Sequence, residues 1–149
     1  MLSIHGMQRE ESDDCIRLSD ERGVITLRRP APHVELLRGE GYAIAEFAPA
    51  ILESREMILH DCGKIALFDD LEHMTGYDAE VRLQLTTWSK KNRGRIVAFH
   101  ILTSSKVVQM GVAVASLALG GGIKAHTKRR AFDTALGKSV GKAMSTEGP

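Results

Sequence analysis

The chain has 149 residues, with 20 Lys and Arg against 19 Asp and Glu. That length suits one domain able to bury its own core without metal or disulfide staples, and the balanced charge gives no footing for nucleic acid or an anionic membrane. Cys15 and Cys62 lie far apart and form no CxxC pair, so they read as reduced thiols of a cytoplasmic protein.

Residues 1–13 open without a basic start or a long apolar core, so no export signal is expected. They end polar and without a period, and read as a disordered leader. The domain is expected over 14–144, with a disordered tail over 145–149. Cys15 to Leu18 alternates apolar and polar, and Val24 to Arg29 does so again after a turn containing Gly23, which predicts a β-hairpin. Pro30 and Pro32 interrupt the pattern before a third strand from His33 to Arg38, and Gly39 and Gly41 then turn the chain.

From Tyr42 the period lengthens. Ile44, Phe47, Ile51, Leu52, Ile58 and Leu59 fall mostly at three- and four-residue spacings, with Glu53, Arg55 and Glu56 between them. This predicts an amphipathic helix starting within 43–49 and ending at Gly63, where glycine supplies a left-handed cap. Pro49 fits either its first turn or a kink. Lys64 to Phe68 is a nearly continuous apolar run, the pattern of a central strand buried on both faces, and it closes on Asp69 and Asp70. The carboxyl end of such a strand is where α/β folds most often place ligands or partners.

Met74 to Tyr77 reads as a turn, and Asp78 as the cap of a helix to Asn92 with Val81, Leu85 and Trp88 buried and Arg82 and Gln84 facing water. Arg95 to Leu102 is a second buried strand. Ser104 and Ser105 offer caps for a third helix, Lys106 to about Leu119, ended by Gly120, Gly121 and Gly122. Ile123 to His126 is a brief strand, and Arg129 to about Met144 a last helix with Phe132, Leu136 and Val140 on one side.

An extended N-terminal section followed by alternating strands and helices resembles the STAS fold, and more narrowly the bacterial SpoIIAA-like (STAS/SEC14-like) family. The residues that carry the resemblance are Gly63 to Leu71, the Trp88 helix, Arg95 to His100, and the ending from Ile123 to Phe132. It spans roughly residues 33–142. It implies a single-domain α/β fold with a mixed, mostly parallel sheet, about four helices and an N-terminal β-hairpin. It also implies a non-enzymatic signalling module that binds a protein partner through the loop and helix after the central strand. By the SEC14-like analogy, the alternative is a carrier of a small apolar ligand. In the family's antagonists a phosphorylatable serine precedes glycine at the start of that helix. The matching neighbourhood is Thr75, Gly76, Tyr77 and Asp78, with Arg82 on the helix beyond, and it lacks the family's usual Asp-Ser pair. Thr75 is the candidate phosphoacceptor, set against the plainer reading of a turn threonine beside a helix cap.

Other chemistry is thin. Asp69, Asp70, Glu72 and His73 cluster at the strand end, but adjacent strand residues point to opposite faces, so a solvated or capping cluster is expected rather than a metal or acid–base site. His60 and Cys62 have no further ligands at zinc spacing. His100 and His126, both on strands, are placed to face each other across the sheet. No nucleophile elbow surrounds Ser104 or Ser105. No metal, cofactor or enzymatic activity is therefore expected. The third helix is apolar nearly all round, so its burial is completed either by neighbouring helices and the N-terminal hairpin or by self-association, a lipid-like ligand or a protein partner. Val108, Gly111, Val112, Ala115 and Leu119 are the expected contact in a two-fold homodimer. Lys124, Lys128, Arg129, Arg130, Lys138 and Lys142 around the last helix read as a solvated basic face.

Overall fold

The structure, a computed structural model, describes residues 6–146. Four strands lead: β1 (Gln8–Glu11), β2 (Cys15–Ser19), β3 (Gly23–Ala31) and β4 (Val34–Ala43). They pair antiparallel, each with the next. Three crossovers follow, with α1 (Phe47–Cys62) leading to β5 (Ile65–Tyr77), α2 (Ala79–Lys91) to β6 (Ile96–Thr103), and α3 (Lys106–Ala118) to β7 (Lys124–His126). These pairings are parallel. The helix α4 (Arg129–Thr146) closes the described chain. One mixed seven-stranded sheet results, with the strands in chain order. The α/β class with four helices and a mixed sheet agrees with the sequence pattern. The antiparallel part, however, has four strands where the pattern predicts a hairpin and a third strand, so the sheet is half antiparallel and half parallel rather than mostly parallel.

Sequential order fixes the layers. Right-handed crossovers that all advance the same way put α1, α2 and α3 on one face and leave the other to α4. Alternation along β5 serves both layers. Ile65 and Leu67 pack with Ile58, Leu59 and Trp88 of α1 and α2. Ala66 and Phe68 pack instead with Leu36, Leu102 and Phe132 under α4. A larger cluster on the first face joins Leu27, Leu37, Phe47, Ile51, Val108 and Val112.

The boundaries of α1 follow from local chemistry. Pro49 is its third residue, in the first turn, where its missing N–H has no intrahelical acceptor to lose. Gly63 adopts φ 73° and donates its N–H to Leu59 O at 2.8 Å, which completes the left-handed cap.

Three expectations are corrected. The predicted leader contains β1, tied down where Arg9 donates to Glu53 of α1 at 3.0 Å; residues 1–5 lie outside the described residues. The predicted tail begins inside α4, and residues 147–149 again lie outside. The turn expected at Met74 to Tyr77 is strand, because β4 runs on to Ala43 and pairs Gly41 with Met74, Tyr42 with Gly76 and Ala43 with Tyr77. Cross-strand pairing overrides the turn propensity of a Thr-Gly step. Gly76 serves there by its size, since a Cβ at that position would stand 3.2 Å from the Tyr42 ring.

Candidate functional site

The inner face of α1 runs Ile51, Arg55, Ile58 and Leu59, all buried. A helical period therefore carries one cation into the core, where the sequence pattern groups Arg55 with the solvent-facing residues. Its side chain is fully buried. Arg55 Nε donates to Glu35 Oε1 of β4 at 2.9 Å, and Nη2 donates to Asp69 Oδ1 of β5 at 3.2 Å. Ser54 Oγ donates to the other Glu35 oxygen at 3.2 Å. The guanidinium carbon lies 5.7 Å from the Trp88 ring centroid. Among the described residues, Arg55 Nη1 finds no acceptor, although the atom is buried.

The charges of this triad shift one another. Burial, opposed by Arg55 and reinforced by Glu35, pushes the Asp69 carboxyl up to about 6. Burial works against the Arg55 cation, but Glu35 and Asp69 outweigh it and hold the guanidinium above its ordinary value.

A cavity of about 110 Å³ lies between this face of the sheet and α1, α2 and α3, with Arg55 and Asp69 in its wall. Leu71, Leu85, Phe99, Val108 and Val112 supply apolar wall from β5, α2, β6 and α3. The volume approaches that of an engineered cavity of about 150 Å³ which admits benzene. Gly111 permits the closing contact, because a Cβ there would overlap the Tyr77 hydroxyl. Tyr77 can thus stand against α3 at one wall of the cavity.

The remaining predicted positions disperse. Asp69 and Asp70 do point to opposite faces, but both are buried rather than solvated. Asp70 accepts from Arg38 Nε at 3.1 Å and from Arg129 Nη2 of α4 at 2.9 Å. Arg129 also reaches Glu72 at 2.6 Å; hydrogen bonds to Glu72 and Asp70 outweigh partial burial and raise its pKa. One cation of the predicted solvated basic face is thus engaged in the fold. Thr75 is exposed in β5, three residues before the Asp78 cap. Asp78 occupies the cap position without a side-chain cap bond. Its carboxylate accepts from Tyr42 Oη at 2.7 Å and from Ala45 N at 2.8 Å, and these bonds hold its pKa below the usual range. Arg82 is half-buried and belongs to the cavity wall.

The dimer face predicted on α3 is corrected. Val108, Gly111, Val112 and Leu119 are buried within the chain itself, and Ala115, half-buried, joins them in the cavity wall. The outward residues are Val107, Met110, Val114 and Leu117.

On the α4 side, His100 Nδ1 lies 2.9 Å from His126 Nε2, and Phe68 stacks on His100 with centroids 4.8 Å apart. Burial, with His126 and Lys124 nearby, lowers the His100 pKa. Ser105 caps α3 by accepting from Val108 N, whereas Ser104 Oγ donates to Glu72 O at 2.6 Å rather than capping. Among the described residues no group of three or more His, Cys, Asp or Glu is placed to hold a metal ion. No helix among them is long and apolar enough to cross a membrane.

This architecture is similar to a solved structure, that of an uncharacterized protein of the DUF3478 family from Shewanella loihica with a SpoIIAA-like fold. The match covers 88% of this chain and 92% of that one, at 14% identity and a TM-score of 0.54. The fold is SpoIIAA-like. No family model matches the sequence, and no curated protein matches it. Within the SpoIIAA-like frame, the sequence pattern locates Asp69 but misses Arg55 and Glu35. The available signal was spacing, since Arg55 stands four residues after Ile51 and three before Ile58.

Proposed function

We propose that this chain is a STAS-type binding module whose cavity takes a small, largely apolar ligand. The observation that carries the reading is the partly open space between the sheet and α1 to α3, apolar over most of its wall and charged at Arg55, Asp69 and Arg82. Concave sites with an apolar lining and a few fixed polar groups are the usual form of a small-molecule site. The apolar character of α3 agrees with this, because one side of the helix closes the cavity. Binding, rather than bond-making chemistry, suits a site whose charged groups pair with one another.

Mass spectrometry of a solvent extract from purified protein tests the reading, with a Leu85→Trp variant that fills the cavity as its control. A small apolar molecule retained by the wild type and absent from the folded variant is the expected result. Equal recovery from both proteins, or an empty wild-type extract together with no uptake of added toluene, rules the reading out.

A second reading, contact with a protein partner, draws on the outer face of α3, where Met110 is 69% and Leu117 82% exposed. Exposed apolar side chains at helical spacing suit a second copy of the chain or another protein. Sedimentation of the wild type and of Leu117→Lys tests self-association. A wild type that remains monomeric at high concentration argues against the homodimer.

A further inference from the structure

We infer that the cavity selects an uncharged ligand bearing one hydrogen-bond acceptor, a ketone or alcohol oxygen on an apolar body, over the corresponding carboxylate. The inference rests on the ligand-cavity reading and adds to it the chemistry of the polar end.

Two observations carry it. The first is the unused donor. Arg55 gives Nε to Glu35 and Nη2 to Asp69, while Nη1 is buried and finds no acceptor among the described residues. A buried donor left without a partner is costly, and Arg55 forms part of the cavity wall. Nη1 itself presents almost no surface to the cavity, so a ligand oxygen reaches it only with a small shift of the Arg55 side chain, and then offers the missing acceptor. The second is the charge count. Glu35 and Asp69 set two carboxylates against one guanidinium, all three essentially buried. A third carboxylate would add like charge in a poorly screened space. A neutral oxygen accepts the same N–H without that repulsion. Arg82, the other cation on the wall, is half exposed, so solvent weakens its pull on an anion.

Three probes of nearly the same shape separate these effects: cumene, acetophenone and benzoate, titrated at neutral pH into isotope-labelled protein and followed by NMR. Cumene is expected to shift amides around the cavity and leave the Arg55 side-chain signals unmoved. Acetophenone should shift both, and benzoate should bind about tenfold or more weakly than acetophenone, as a like-charge contact in a low-dielectric site demands. Asp69→Asn removes one carboxylate and keeps the shape, so it should narrow the gap between acetophenone and benzoate. If cumene shifts no cavity amide, the cavity reading falls and takes this inference with it. If cumene binds but benzoate matches acetophenone, or Arg55 ignores acetophenone, or the gap is unchanged in Asp69→Asn, only the neutral-acceptor inference is overturned.

Discussion

Replacing Asp69 with asparagine should alter how stability depends on pH, as well as its size. In the folded chain burial, opposed by Arg55 and reinforced by Glu35, moves this carboxyl from 3.8 to about 6. Its folded value lies above its unfolded value, so the native state holds the proton more tightly. The resulting stability is complete below about pH 4 and is lost as pH rises through about 6. At about 1.4 kcal/mol for each tenfold change, a rise of that size corresponds to about 3 kcal/mol. Urea unfolding followed by circular dichroism, on both proteins from about pH 4 to about pH 7, measures the swing. The difference between them should move by about 2 kcal/mol in favour of Asp69→Asn across that window, less than the full shift because the unfolded carboxyl is already partly ionised at its lower end. Loss of the Arg55 contact at 3.2 Å changes the offset between the two curves more than their relative slope. A difference that stays flat within about 0.5 kcal/mol, or that moves toward the wild type, refutes the assignment of Asp69 as a buried carboxylate held against its solvation preference.

Val112, only 9% exposed, packs in the main cluster with Val108. Val112→Asp should therefore cost about 3 kcal/mol or more in urea unfolding, and a variant as stable as the wild type would return this face of α3 to the surface. Gly111→Ala places a Cβ on the Tyr77 hydroxyl; a loss of about 1–3 kcal/mol is expected, with displaced Tyr77 resonances, and an unchanged melting temperature would disprove the contact. Thr75 is exposed on β5, so Thr75→Glu should leave stability within about 0.5 kcal/mol, and a larger loss would show the side chain to be engaged in the fold.

The amino-acid sequence alone determines those features whose causes are local. The helix α1 was legible from its period and from Gly63, because a left-handed cap depends on a few neighbouring residues. The opposed directions of Asp69 and Asp70 followed from strand alternation alone. The approach of His100 and His126 followed from their places on neighbouring strands. The centre of the candidate site was not legible in this way. An arginine among glutamates on a helix reads as solvated until its partners are known, and Arg55 finds Glu35 20 residues away and Asp69 14 residues away. Only the parallel pairing of β4 with β5, which sets Leu37 opposite Asp69 and Glu35 opposite Leu67, brings those two carboxylates beneath α1. The strand through Met74 to Tyr77 likewise depended on β4 as a hydrogen-bonding partner. Composition marked α3 as apolar on every side, but a helix with no polar stripe carries no signal for which side turns inward. Packing against Tyr77 at Gly111 made that choice, because only a glycine lets a tyrosine hydroxyl approach the helix so closely.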